Sequence, residues 1–433
     1  MRIEDIELNK KNAQHNGPNG FLYPQYGQNC ISDVPNAILN LFKVETQKGK
    51  SQLEEHIEKS GYERINNVVL IILDGFGFNQ FSRYHQKYRF FAKIADEGKV
   101  FPITSVFPSQ TTNALTTLNT GLSPQEHSVF EYFIYLKEAG MVVDTLWFEH
   151  IDSNYRIKLL DKGFHAEMLF DGKTIHETLR ENGINAYAHI PASSAYSVCS
   201  SLIFKGSKVV PAVKISDTIV GLRKNLEKCD GPSYFFVHLD TLDTIAHVYG
   251  PHSYEYEAEL SMISYLLNKE LTEKVSSRVA KETLILVTAD HGGVDVDPKE
   301  TIYLNHIPKL MENLQCGGNG ERILPTGSPR DIFLHVREEK LTETRKLLSR
   351  KLAEKAQVIE TKEAIKNGLF GIGDVSEKFL ERAGNLLLLP YGNETIWIEC
   401  SEGRRANFLG YHGGLSEEEM LVPFAIAKLG SLK

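Results

Sequence analysis

Three stretches of this chain share one grammar, an apolar run that stops abruptly at acidic, imidazole and glycine residues. Asn67 to Leu73 (Asn-Val-Val-Leu-Ile-Ile-Leu) gives way to Asp74-Gly-Phe-Gly. Tyr234 to Leu239 leads into Asp240-Thr-Leu-Asp243-Thr-Ile-Ala-His247, and Thr283 to Thr288 leads into Ala289-Asp290-His291-Gly292-Gly293. Near-continuous apolar runs, without the polar alternation of a half-exposed strand, predict strands buried on both faces of a mostly parallel sheet. The residues that follow mark the carboxyl ends of those strands, where open α/β sheets bind their ligands.

The remaining pattern frames this α/β core. Residues 1–64 begin polar, then carry an amphipathic helical stretch near Pro35 to Phe42 and a charged one near Ser51 to Ser60, which predicts a lead-in packed on the main domain. After His291 the pattern changes. Asp331 to Val336 and Gln357 to Glu360 read as short strands around a helical Glu338 to Ala356, and Asn385 to Pro390 with Glu394 to Glu399 as a hairpin around Tyr-Gly-Asn. The expected organisation is a core of residues 65–307 and 405–433, interrupted by a small inserted α+β subdomain at 308–404 that covers the mouth of the site.

Composition narrows the function classes. With 42% hydrophobic and 24% charged residues, the 433-residue chain has the material for a large core and a solvated surface. A formal net charge of −8 argues against binding a nucleic-acid polymer, since counterion release needs a basic surface. An anionic substrate would depend on local positive charge, which bound divalent metal ions supply. The five cysteines are scattered and contain no Cys-x-x-Cys pair, so neither a disulfide framework nor a zinc ribbon is expected. No apolar run reaches membrane-spanning length and the start lacks a signal-peptide core, giving a cytoplasmic, membrane-free expectation.

Six residues have the chemistry of zinc ligands: Asp74, Asp243, His247, Asp290, His291 and His412. Taken singly each has a plainer reading. An Asp after a strand is commonly a turn or cap residue, and His247, four residues after Asp243, can simply share its helix face. Ala-Asp290-His291-Gly-Gly is sharper, because it crowds two ligands where the backbone bends tightly, and Gly-Tyr-His412-Gly-Gly repeats the theme late in the chain.

The order Leu-Asp-Gly-Phe-Gly, Phe-Pro-Ser-Gln-Thr-Thr, Leu-Asp-Thr-Ile-Ala-His, Thr-Ala-Asp-His-Gly-Gly and Tyr-His-Gly-Gly resembles the alkaline phosphatase superfamily, in its nucleotide pyrophosphatase/phosphodiesterase-like (type I phosphodiesterase) branch. The resemblance implies a three-layer α/β/α fold and a pair of divalent metal ions, with the imidazoles favouring Zn2+ and Mn2+ tolerating the same ligands. It implies Asp243, His247 and His412 around one ion, and Asp74, Asp290 and His291 with Thr111 around the other. Thr111 would then attack phosphorus to form a phosphothreonine, with Thr112 as its rival. A threonine hydroxyl is a poor nucleophile unless a metal stabilises its alkoxide, so Thr111 makes sense only beside those ligands.

Two departures limit the substrate reading. Ala114 stands where the branch pattern places an amide, leaving Asn113 either to hold a phosphate oxygen or to serve the helix start. Ala246 replaces a glycine without altering the Asp243–His247 spacing. Asp240 is a rival ligand or a supporting residue. Phe130, Tyr132 and Phe133 either stack a nucleobase or belong to the core, the Arg404–Arg405 pair either meets a phosphate or is solvated, and Lys340 to Lys355 reads as an exposed helix face. The expected activity is that of a two-metal phosphodiesterase/nucleotide pyrophosphatase acting on a small phosphate ester, a nucleotide among the candidates, with phosphomonoester or phosphonate hydrolysis and a non-catalytic metal-stabilised binding protein as alternatives.

Overall fold

The computed structural model describes residues 17–46, 49–59, 61–62, 65–151, 158–399 and 407–433. The first sixteen residues of the lead-in, Cys400 and the Arg404–Arg405 pair lie outside them. The architecture is α/β, organised on a seven-stranded sheet: β1 (Asn67–Leu73), β2 (Lys99–Thr104), β3 (Asn185–Pro191), β4 (Lys208–Ala212), β5 (Ser233–Leu239), β6 (Thr283–Thr288) and a late strand, Leu421–Lys428. Reading across it, the order is β2, Leu421–Lys428, β6, β1, β5, β3, β4. The last five pair in parallel, whereas Leu421–Lys428 runs antiparallel to both β2 and β6. β1, β5 and β6 are buried at every position, as strands covered on both faces must be.

Register brings the three motif strands level. Leu73 pairs with Leu239 and Ile72 with Thr288, so the residues just past the strand ends emerge side by side on one edge. The lead-in residues Phe21, Leu22, Ile31, Val34, Ile38 and Leu53 join the same core cluster.

The later segment contains a four-stranded antiparallel sheet. Its strands are β7 (Thr326–Ser328), β8 (Asp331–Leu334), β9 (Ala356–Glu360) and β10 (Leu386–Pro390), in the order β7-β8-β10-β9. Alternate side chains face opposite ways along a strand. Phe333, Ile359, Leu387 and Leu389 accordingly enter the main core, while Ile332, Leu334, Val358 and Leu388 enter a second cluster with Leu348 of the helix Leu341–Lys351. The charged face of that helix is exposed, as the Lys340 to Lys355 pattern predicts.

The expected hairpin around Tyr391-Gly392-Asn393 does not form. β10 is apolar on both faces and sits inside its sheet between β8 and β9, while Ile396–Trp397 pairs in parallel with Ile302–Tyr303. Adjacency in sequence lost to the burial of five consecutive apolar positions. No helix of the described residues is long and apolar enough to cross a membrane.

Candidate functional site

Gly75 explains how β1 can deliver Asp74 to a crowded edge. Its φ is +73°, and a Cβ there would lie 3.1 Å from both Cα and Cβ of Asp243, so a larger residue would be strained and would push that carboxylate away. Asp243 and His247 project from one face of the helix α1 (Thr241–Tyr249), one turn apart, with Nε2 3.2 Å from Oδ2. The antiparallel strand Leu421–Lys428 leaves the preceding loop beside the β2 edge, and the two loops are laced together there. Ser109 N donates to Gly413 O at 3.2 Å, Gly413 N donates to Ser109 Oγ at 3.0 Å, and Gln110 Nε2 donates to His412 O at 3.2 Å.

All six predicted ligands converge. Asp243, His247 and His412 form one group of closely spaced donor atoms. Asp74, Asp290 and His291 are also neighbours, with His291 Nε2 at 3.5 Å from Asp74 Oδ1 and 3.3 Å from Asp290 Oδ2. Two features cut across the tidy division into trios. Asp243 also groups with Asp74 and His291, and His238 groups with Asp74 and Asp290. His238 was missed by sequence reasoning, although an imidazole in an otherwise apolar strand one residue from its end was the available signal. Asp240 belongs to none of the groups of metal-type donors among the described residues.

The donor set fits a pair of divalent cations. Each of the three motif histidines uses Nδ1 on a backbone carbonyl: His247 on Gly410 O (2.8 Å), His412 on Ser109 O (2.9 Å) and His291 on Gly292 O (2.8 Å). In a neutral ring that arrangement puts the lone pair on Nε2, which faces the cluster. The two buried carboxylates are used in halves. Asp290 Oδ1 accepts from the backbone N–H groups of His291 (2.9 Å) and Gly75 (3.2 Å), and Asp74 Oδ2 meets His238 Nε2 at 2.8 Å. Asp290 Oδ2 and Asp74 Oδ1 have no hydrogen-bond partner. Unpartnered buried carboxylate oxygens are costly, and coordination to a cation removes the cost.

Electrostatics points the same way. Burial, then the charge of Asp290, pushes Asp74 well above the usual carboxylate range. Burial, then the neighbouring His291, pushes His412 down to about 3, so it is neutral near pH 7. Burial opposes charge on both members of the Asp243–His247 pair, but their mutual attraction wins, lowering the Asp243 pKa and raising that of His247. A divalent ion at such a cluster becomes its dominant charge.

Thr111 opens the helix Thr111–Thr120, and its Oγ1 lies 3.1 Å from His291 Nε2. The rival Thr112 Oγ1 is buried without a hydrogen-bond partner. Asn113 is not brought to the cluster. It is fully buried, and its amide donates to Pro108 O at 2.7 Å, bracing the loop that enters the helix. Two residues along a helix turn the side chain through roughly 200°, so Asn113 faces away from Thr111. The expected role for Asn113 on a phosphate oxygen gives way to the helix-start role. Gln110 caps this helix without a side-chain hydrogen bond, leaving its first N–H groups as donors for an anion.

Two cavities meet at Thr111, Tyr132 and Asp243. The larger, about 700 Å³, includes Tyr132, Phe133, Trp397, Phe408 and Tyr411 in its lining, with Gly327, Ser328 and Pro329 from the later sheet and its turn. The smaller, about 350 Å³, is lined by Thr112, Trp147, His238, Asp240 and several serines. Of the three early aromatics, Tyr132 and Phe133 line the larger cavity, whereas Phe130 packs in the core against Phe333 and Phe379. The failed hairpin matters here, because the pairing of Ile396–Trp397 with Ile302–Tyr303 accompanies the placement of Trp397 on this wall.

Glu131, beside the larger cavity, forms a buried acid pair with Asp331. Burial raises Glu131 to about 7, and burial together with Glu131 raises Asp331. A carboxyl whose folded pKa is raised contributes most stability below its unfolded pKa and loses it as pH rises through the folded value. Glu131→Gln is therefore expected to raise Tm at about pH 8 and to flatten the loss of stability between about pH 5 and 8, measured by thermal unfolding across that range. An unchanged pH profile would contradict the raised pKa of Glu131.

The type I phosphodiesterase / nucleotide pyrophosphatase family model matches residues 68–414. Among curated proteins, a venom phosphodiesterase of Crotalus durissus collilineatus is 22% identical over 280 residues, 63% of this chain and 32% of its own length. The chain spans about a third of the length of the curated relatives it matches. Among solved structures, the inactive threonine-to-alanine variant of murine ectonucleotide pyrophosphatase/phosphodiesterase 5, in complex with AMP, is 16% identical. Its match covers 83% of this chain and 87% of that one, with a TM-score of 0.61. Phosphonoacetate hydrolase from Sinorhizobium meliloti 1021, in complex with phosphonoformate, is 17% identical, with 85% and 94% coverage and a TM-score of 0.60. At these identities the solved structures show a shared fold.

Proposed function

Since the chain belongs to the type I phosphodiesterase / nucleotide pyrophosphatase family, we propose that it is a divalent-metal-dependent phosphoric ester hydrolase that cleaves phosphodiesters through Thr111. The observation that carries this reading is Thr111 Oγ1 at 3.1 Å from His291 Nε2, inside a cluster whose Asp and His donors fit two cations. Zn2+ suits the imidazole-rich donor set, and Mn2+ accepts the same ligands. Bound metal ions supply positive charge for the attacking and leaving oxygens of an in-line displacement. The Oγ1–phosphorus bond would form as the bond from phosphorus to the departing alkoxide breaks, the Thr111 hydroxyl proton passing to solvent and the alkoxide taking up a proton from it. Water then cleaves the phosphothreonine and restores Thr111. The N–H groups at the start of Thr111–Thr120 take the phosphate-oxygen contact that Asn113 does not make.

Diesters are favoured over monoesters by charge and by shape. A monoester carries an extra negative charge, yet neither cavity includes a Lys or Arg among its described lining residues. Two cavities meeting at Thr111 accommodate the two substituents of a diester. The aromatic walls and volume of the larger one suit a nucleotide-sized substituent. Bis-(p-nitrophenyl) phosphate is expected to turn over at least about tenfold faster than p-nitrophenyl phosphate, with chelation abolishing both activities and Zn2+ or Mn2+ restoring them. Faster turnover of the monoester would overturn the diester preference. Absence of metal-dependent turnover of either, in protein shown to hold two metal ions, would sink the enzyme reading.

A further inference from the structure

We infer that His238 is a positioning residue of the second metal centre, holding one oxygen of Asp74 so that the other is presented to the cation. The inference rests on the metal-dependent reading above and adds a residue that the family-like motifs do not contain. His238 sits at a buried position of β5, between Val237 and Leu239. Imidazole in such surroundings needs a polar partner, and here it is Asp74 Oδ2, 2.8 Å from Nε2.

The neighbouring strand fixes Asp74 twice. Leu73 is in register with Leu239, and Asp74 N donates to Leu239 O at 3.0 Å, which sets the backbone. His238, one residue back on that strand, then sets the side chain. Asp74 Oδ1 is left without a hydrogen-bond partner, 3.5 Å from His291 Nε2. Asp290 repeats the division, with Oδ1 held by two backbone N–H groups and Oδ2 unpartnered. One carboxylate is anchored by main chain and the other by an imidazole. The 2.8 Å Nε2–Oδ2 separation is that of a hydrogen bond, and because an ionised carboxylate only accepts, Asp74 as a cation ligand requires Nε2 to donate, which leaves no lone pair there for coordination. His238 therefore orients a ligand instead of serving as one. Loss of such a partner typically weakens metal affinity by about 10–100-fold.

The test is titration of metal-free wild type, His238→Ala, His238→Phe and His238→Gln with Zn2+ against a competing chelator, following both sites, with turnover measured separately. Circular dichroism checks folding, and His238→Phe and His238→Gln retain side-chain bulk if the alanine variant does not fold. Expected is a second-site affinity about 10–100-fold weaker in His238→Ala and His238→Phe with the first site unchanged. His238→Gln, which can still donate to Oδ2, should recover most of that loss. Tight second-site binding in the variants without a donor would overturn the inference. So would a glutamine variant no better than phenylalanine, since hydrogen bonding would then not be the operative property. A wild-type protein that binds no Zn2+ would instead defeat the metal-dependent reading beneath it.

Discussion

Thr111→Ala is expected to lower kcat on bis-(p-nitrophenyl) phosphate by about 10³–10⁶-fold while leaving two metal ions bound. The substitution removes the hydroxyl 3.1 Å from His291 Nε2 but none of the six carboxylate and imidazole donors on the surrounding strands, helix and loops. It leaves the helix start in place, because Gln110, not Thr111, is the N-cap and alanine is a good helix former. Turnover and bound-metal stoichiometry measured on one preparation decide it. Activity within about tenfold of wild type would move the nucleophile to Thr112 or to water.

Asp243→Asn is expected to fail differently, losing metal and turnover together. Asp243, like Asp74, is a donor in two of the three groups: the one with His247 and His412 and the one with Asp74 and His291. Burial works against its charge, but His247, His412 and His291 hold its carboxyl below the usual range, so the group removed is a negative charge that both groups share. An amide keeps the shape but contributes no charge to a divalent ion, and metal affinity should fall by at least about 10²-fold. Metal content after dialysis provides the measurement, and a variant that keeps two ions would contradict the shared role. The two variants together separate chemistry from assembly: Thr111→Ala keeps the ions and loses the reaction, whereas Asp243→Asn loses both.

Much of the site could be read because the ligands sit at transitions that sequence marks strongly. Apolar runs ending at Asp74, Asp240 and Asp290 specify buried parallel strands, and the strand ends of such a sheet lie on one edge. The Asp243–His247 spacing already specifies a common helix face. His238 was hidden by the same logic that revealed the others, since it lies inside an apolar run instead of after it. The hairpin failed for a related reason. Local turn residues predict a hairpin partner for β10, but its five buried positions required neighbours on both sides, and these came from β8 and β9.

The sequence by itself determined the α/β class and the strand ends at which the Asp and His residues lie, because hydrophobic periodicity and glycine turns are local properties. Tertiary structure decided which donors are neighbours, that Asn113 points into the loop instead of the cluster, and that Trp397, Phe408 and Tyr411 share a wall with Tyr132 and Phe133. Those outcomes depend on register and on packing between segments far apart in the chain. One residue of slip or one turn of helix redirects a side chain without altering the local pattern that predicted the element.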